Sequence, residues 1–377
     1  MLKFKHPNSA GTRMNSGRPC LYLTVVAAVM FLFSANAAAD QQPLFEHDET
    51  LQVRIEAPFS TIRRVRSDEE YLEGSLQYLD SSGATRRLDL KVRARGRFRK
   101  QREVCDFPPL RLNFRKKQVV DTEFHGQDKL KLVTHCESSR NNYEQDMLQE
   151  YLAYRILNTV TENSFRVRLL HVTYANTESN GKELTKYAFL IEDDDRLGER
   201  LGMQHSKVRE LQYHQLEMHQ TSLFTVFQYM IGNTDFSAVM GPTEKYCCHN
   251  AVLFTNPVGQ FTPVPYDFDF SGIVNARYAA PGKQFKLKSV KERVYRGLCR
   301  HNNLLPGTVG RFQEQEQTVR QLISELDGFS DGTRRSTQRY IDSFYKDVSS
   351  QDQMERHFVK ECSSATGPPV QSSAIQK

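Results

Sequence analysis

The sequence predicts an α+β protein of two lobes, a sheet-rich front and a mainly helical back that meet near residue 193. Three observations predict this. From 51 to 114 apolar and polar residues alternate in short runs broken by turn residues, the two-residue period of half-buried strands. One amphipathic helical stretch, opening at Asn141-Asn142, then separates these runs from two more strand-like segments. After Glu192-Asp193-Asp194-Asp195 the apolar spacing becomes helical. At 377 residues the chain has room for roughly two domains of about 150 residues. It can bury a real core without a metal or disulfide to hold it.

The elements follow in order. The runs 74–79 and 87–92 flank Asp80-Ser81-Ser82-Gly83 and read as a hairpin. Residues 109–114 and 129–134 repeat the period with one apolar face. In the helix that begins at Asn141, Glu144 and Asp146 favour the first turns, and Met147, Leu148, Tyr151, Leu152 and Ile156 form the apolar stripe. Strands over 166–175 and 186–191 are joined by Asn176-Thr177-Glu178-Ser179-Asn180-Gly181. The strongest later helix covers 222–231, with Thr221 as cap and Gly232 as stop. Strand-like pieces at 251–254 and 261–265 surround an Asn-Pro-Val-Gly turn, and 309–326 and 333–348 read as closing helices. The expected organisation is a leader at 1–39, a β-rich lobe at 40–192, a helical lobe at 193–348 and a polar, mobile tail at 349–377.

Basic residues up to Arg18 precede the apolar run 21–33, and Ala37 and Ala39 offer cleavage sites. This pattern predicts a secretory signal peptide, hence a periplasmic or secreted protein; the alternative is a retained N-terminal anchor. No later stretch is apolar for long enough to span a bilayer. Taking Lys3, Lys5, Arg13 and Arg18 from the 51 basic residues leaves 47 against 45 acidic ones, a balance that argues against a nucleic-acid-coating protein. Without Cys20, six cysteines remain, an even number that predicts disulfides, with Cys105–Cys136 the expected local pair. A zinc site using His135-Cys136 and Cys247-Cys248-His249 competes, but the Cys-x₂-Cys spacing of structural zinc is absent.

The residues richest in chemistry lie between Gly232 and Gly272. Gly232-Asn233-Thr234-Asp235 ends a helix, His249-Asn250 precedes a strand, and Tyr266-Asp267-Phe268-Asp269-Phe270 follows the next one. Asn250 and Asp267 offer hard oxygens for Mg²⁺ or Mn²⁺, and Asp235 offers a carboxylate that aligns an incoming hydroxyl. Arg93, Arg95, Arg97 and Arg99 share one strand face by the two-residue period. They suit a phosphate or an acidic substrate, against the plainer reading of a solvated face.

The order Gly-Asn-x-Asp, His-Asn and Pro-Tyr-Asp-Phe-Asp resembles the spore coat protein H (CotH) kinase family, within the protein-kinase-like group. The similarity spans about residues 85–300 and includes the Arg-Gly segment at 93–97. It implies a two-lobed protein-kinase-like fold and an exported enzyme that transfers phosphate from ATP to Ser or Thr hydroxyls of a protein in or beyond the cell envelope. By that resemblance Asp235 is the catalytic aspartate, and Asn250 and Asp267 hold Mg²⁺ or Mn²⁺ with Asp269 as a second acidic ligand. A kinase cleft also needs a lysine on a phosphate, steadied by a helix carboxylate. Lys131 with Glu150 is the expected pair, and Lys129 and Glu144 are its rivals. No Gly-x-Gly-x-x-Gly loop exists, so Arg95, Gly96 and Arg97 are expected at the phosphates, and the position of the acidic loop could let Glu192 or Asp195 touch a ribose. Two other classes compete: a non-catalytic pseudokinase-type binding module, and a metal-dependent hydrolase using Asp267 and Asp269.

Overall fold

The computed structural model describes residues 43–242 and 246–365; the leader expected at 1–39 and the last twelve residues of the expected tail lie outside the described residues. A short helix α1 (Pro43–Glu46) leads into β1 (Leu51–Ala57), where Val53, Ile55 and Ala57 are buried in alternation. Helix α2 (Phe59–Val65) follows, then the expected hairpin of β2 (Leu72–Leu79) and β3 (Thr85–Ala94). In its turn the Asp80 carboxylate accepts from the backbone N–H groups of Ser82 and Ala84, and Gly83 takes φ +80°. The next two alternating runs form β4 (Leu110–Phe114) and β5 (Lys129–Val133). Helix α3 (Asn141–Val160) and strands β6 (Val167–Asn176) and β7 (Leu184–Ile191) complete the front half.

The sheet closes. Strand β1 pairs antiparallel with β2 and parallel with β6, giving a seven-strand barrel in the order β1-β2-β3-β4-β5-β7-β6. This overturns the expected two-lobed protein-kinase-like fold, whose front lobe has an open sheet. Closure removes the exposed sheet edges, and the partner that achieves it, β6, lies more than a hundred residues along the chain from β1. Local periodicity does not report such a pairing. Leu76, Leu90, Val92, Leu112, Leu130, Leu132, Val172 and Leu190 are among the residues that fill the barrel core.

Helix α3 does not belong to that core. Its Leu148, Tyr151, Leu152 and Ile156 pack instead with the back half, beside Phe189 and Ile191 of β7 and Phe227 and Phe268 further on. The border near residue 193 is therefore spanned by one continuous apolar cluster. Helix α4 (Asp194–Leu201) begins at that border, capped by the Asp193 carboxylate. A short strand β8 (Gln204–His205) precedes α5 (Met218–Ile231). Helix α5 starts earlier than expected because the Glu217 carboxylate, not Thr221, accepts from the N–H groups of His219 and Gln220. It ends at Gly232, φ +66°, as the sequence predicts. Strands β9 (Ala251–Thr255) and β10 (Phe261–Pro265) pair antiparallel, with β8 on the far side of β9.

The closing helices are α6 (Leu305–Glu314), α7 (Glu316–Glu325) and α8 (Asp331–Asp347), so the expected 309–326 helix is two. The described part of the tail expected to be mobile, residues 349–365, is packed: α9 (Gln351–Met354) runs into a further turn, and Phe358 is fully buried on Tyr229 and Tyr295. Three disulfides join Cys105 to Cys136, as expected, Cys247 to Cys248, and Cys299 to Cys362. All six thiols are thereby spent, which leaves none for zinc. Among the described residues no helix is long and apolar enough to cross a membrane.

Candidate functional site

The loop after α5 carries Asp235, and its conformation is fixed from several sides. Gly232 is irreplaceable there: its φ is positive, and a Cβ would stand 2.0 Å from the Tyr340 hydroxyl. The Asn233 Oδ1 accepts from the Asp235 N–H at 2.9 Å. Arg296, its guanidinium stacked on Phe236, donates to the carbonyls of Thr234 (3.0 Å) and Phe236 (2.7 Å), one on each side of Asp235. Sequence reasoning missed Arg296, because nothing local ties residue 296 to residue 235.

His249-Asn250 meets that loop. The two segments are bridged by reciprocal backbone bonds between Ser237 and His249. His249 Nε2 lies 2.8 Å from Asp235 Oδ1, while Asn250 Nδ2 donates to Asp235 Oδ2 (3.0 Å) and to its carbonyl (2.7 Å). Burial opposes protonation of His249. The hydrogen bond to Asp235 and the charges of Asp235 and Asp267 outweigh it, so the imidazole pKa is raised. The amide nitrogen of Asn250 is thus committed to Asp235, and its Oδ1 makes no hydrogen bond among the described residues.

Asp267 follows directly. The Tyr266 N–H donates to the Asn250 carbonyl at 3.1 Å, and the Asp267 N–H donates to the hydroxyl of Tyr154, a fully buried residue of α3. Asp267 takes φ +62°, a left-handed conformation that Asp tolerates better than most residues. Its carboxylate makes no hydrogen bond or ion pair among the described residues.

The other expected residues divide. Asp269 is buried: it accepts from the Tyr278 hydroxyl at 2.9 Å and lies 3.7 Å from Arg99. Burial first, and then the charge of Asp267, raise its pKa well above the carboxylate range. Lys131 and Glu150 do not pair. Glu150, 2% exposed, holds Arg99 at 2.8 Å, and Lys131 holds Asp194 at 2.6 Å with its ammonium over the rings of Phe165 and Tyr266. Lys129 is exposed, and Glu144 accepts from Lys186 and from the Tyr187 N–H, which makes it a strut between α3 and β7. Glu192 is fully buried, bound by two nitrogens of Arg200 and by the Arg166 N–H, and so cannot touch a ribose.

The four arginines do not share a strand face. β3 ends at Ala94, so only Arg93 lies on the strand and stacks on Tyr71; Arg95 through Arg99 lie in the turn-rich segment beyond. Gly96, φ +87°, and Arg97 are exposed. Arg95 is half-buried with Asp267, Arg99, Tyr154 and Glu150 as its electrostatic neighbours, and it forms no ion pair among the described residues. The structure therefore brings together Asp235, His249, Asn250, Asp267 and Arg95, and it places Lys131 one ring away, on Tyr266. Among the described residues no three or more His, Cys, Asp and Glu side chains form a group able to hold a metal by themselves. The chain matches no known protein-family profile and no curated protein.

Proposed function

We propose that the chain is an exported phosphotransferase that moves a phosphoryl group from ATP to a Ser or Thr hydroxyl of a protein, with Mg²⁺ or Mn²⁺ as cofactor. One observation carries the reading: Asp235, Asn250 and Asp267 come from three separate loops, and the polar atoms left over are the ones phosphoryl transfer requires. Asn250 spends its nitrogen on Asp235 and keeps Oδ1, and Asp267 keeps its whole carboxylate. Mg²⁺ commonly takes only one or two protein oxygens and fills its shell with phosphates and waters, so the lack of a three-acid cluster suits this pair. Bound there by Asn250 and Asp267, the cation would neutralise charge on the phosphate oxygens.

The remaining work falls to the chain's own residues. Asp235 is 37% exposed at its side chain, and each of its oxygens keeps a second lone pair after binding His249 and Asn250. It accepts a hydrogen bond from the acceptor hydroxyl and aligns it for attack. Arg95 is the stronger grip on phosphate, because Lys131 must first share its ammonium with Asp194. Three disulfides fit the oxidising compartment that an exported chain enters.

The test is a thermal shift of the oxidised chain with ATP and either Mn²⁺ or Mg²⁺. At about 100-fold excess over Kd the native state gains about 2.7 kcal/mol, which is a rise of several degrees in Tm. The rise should vanish in Asp267→Asn. No rise with either metal would sink the reading and leave a binding module in its place.

A further inference from the structure

Immediately beyond the candidate site the charge of the chain becomes one-sided. No acidic residue occurs between Asp269 and Glu292, and in that interval Arg277, Lys283, Lys286, Lys288 and Lys291 are all exposed. None of the five forms an ion pair or a side-chain hydrogen bond among the described residues. Some surface cations elsewhere meet a carboxylate, among them Arg54, Arg86, Arg87, Lys91, Lys100 and Arg115, and others, such as Lys117, Lys182, Arg311 and Arg339, form no ion pair among the described residues; what sets this segment apart is its run of five exposed cations with no acid between them.

The segment is tied to the Asp235 loop at three points. Phe285 lies under the guanidinium of Arg296, 5.2 Å from ring centre to Cζ, and the same guanidinium bonds the carbonyls flanking Asp235. The Lys291 carbonyl accepts from the Tyr340 hydroxyl, the group that crowds Gly232. Gly272, whose N–H donates to the Gly232 carbonyl, has no room for a Cβ because the Val290 carbonyl would stand 2.6 Å from it. The cations at 283, 286 and 288 thus flank a phenylalanine that packs on Arg296, the arginine that holds the carbonyls on either side of Asp235.

We infer that this segment is the docking surface for the protein substrate, and that it selects a hydroxyl flanked by acidic residues. The inference rests on the proposed phosphoryl transfer and names its substrate class. Charge complementarity favours an acidic peptide over a nucleic acid. The adjoining site presents Asp235 and Asp267, which repel a continuous phosphate backbone, whereas a peptide sets a neutral hydroxyl against the carboxylates and its acids against the lysines.

The experiment is fluorescence anisotropy of the oxidised chain with a labelled serine peptide flanked by glutamates, the same peptide with glutamines, and single-stranded oligothymidylate. The glutamate peptide should bind more tightly than the glutamine one by about tenfold or more, with the gap closing as salt rises from about 50 to about 300 mM. Lys283→Glu/Lys286→Glu/Lys288→Glu should remove that preference, and the milder triple change to Gln should lower it. These side chains form no ion pair or hydrogen bond among the described residues, and an unchanged Tm of each variant verifies the fold. Equal affinity for the two peptides, undiminished binding by the charge-reversed variant, or oligothymidylate binding as tight as the glutamate peptide would each overturn the inference. Peptide binding needs no nucleotide, so its failure is separable from that of the phosphotransfer reading: a chain that selects the glutamate peptide through these lysines but shows no ATP-dependent Tm shift keeps the surface and loses the reaction.

Discussion

Replacing Arg99 by leucine tests the charge arrangement behind the candidate site. The guanidinium lies 2.8 Å from Glu150 and 3.7 Å from Asp269, with side-chain exposures of 10%, 2% and 8% for the three groups. Removing the shared cation strands two carboxylates in a dry interior, a change that costs about 3–5 kcal/mol when a buried pair is broken from one side. The stranded acids can escape only by taking up protons. Burial already raises the pKa of both Glu150 and Asp269 with Arg99 present, and without it their folded values climb further above those of the unfolded chain. The folded variant then binds more protons than the unfolded one, so its stability rises as pH falls. The deficit of Arg99→Leu should be largest near pH 8 and shrink towards pH 5. Urea unfolding of the oxidised chain at several pH values measures it, and with a slope of about 3 kcal/mol/M the midpoint should fall by about 1–1.7 M at the upper end of the pH range. A loss below about 1 kcal/mol, or one that is the same at both pH values, would refute the argument that Arg99 neutralises these two acids.

Asp235→Asn should lower the raised pKa of the His249 imidazole, as a histidine NMR titration would show. Because that pKa is raised in the folded chain, the stability the pair contributes is present in full below about pH 6.5 and disappears as pH rises through the folded value; a wild-type-minus-variant gap that does not change with pH rules the pairing out. The disulfides should rank by the loops they close: Cys299–Cys362 spans 63 residues and contributes about 4 kcal/mol on chain-entropy grounds, whereas Cys247–Cys248 joins neighbours and contributes little to global stability. Urea midpoints of the two double-serine variants under non-reducing conditions check this, and a Cys247→Ser/Cys248→Ser loss equal to the other would refute it.

Local chemistry was the legible part of this chain. The hairpin at 80–83, the strands at β4, β5, β9 and β10, the stop at Gly232 and the Cys105–Cys136 pair all depend on residues close in sequence or on a simple period. What periodicity does not encode is which edge meets which, so the parallel pairing of β1 with β6 and the closed barrel were invisible. The same limit explains the misassigned ion pairs. Lys131 and Glu150 are each the right kind of residue for a phosphate-gripping pair, but Asp194 and Arg99 reach them first, and neither partner is close to them in sequence. Asp235, Asn250 and Asp267, which the structure brings together, were singled out from type and order, while the residues that hold their loops, Arg296, Tyr154 and Tyr278, were not.

Those holding residues also show how the site depends on α3. The helix sends the Tyr154 hydroxyl to the Asp267 N–H, Glu150 to Arg99, and the Gln149 amide to the Ile273 carbonyl and Thr337. Arg99 lies in the segment leaving β3 of the barrel, and Asp267, Ile273 and Thr337 belong to the back half. One buried helix therefore fixes the barrel-mouth groups and the loop groups in a common frame, and its apolar stripe sits in the core that runs continuously from β7 to α8. Chemistry grafted on such a frame needs few charged groups, provided each is held. Within that frame Asp267 and Arg95 face each other electrostatically, yet neither side chain forms a hydrogen bond or ion pair among the described residues, so their polar atoms stay available beside Asn250 and Asp235.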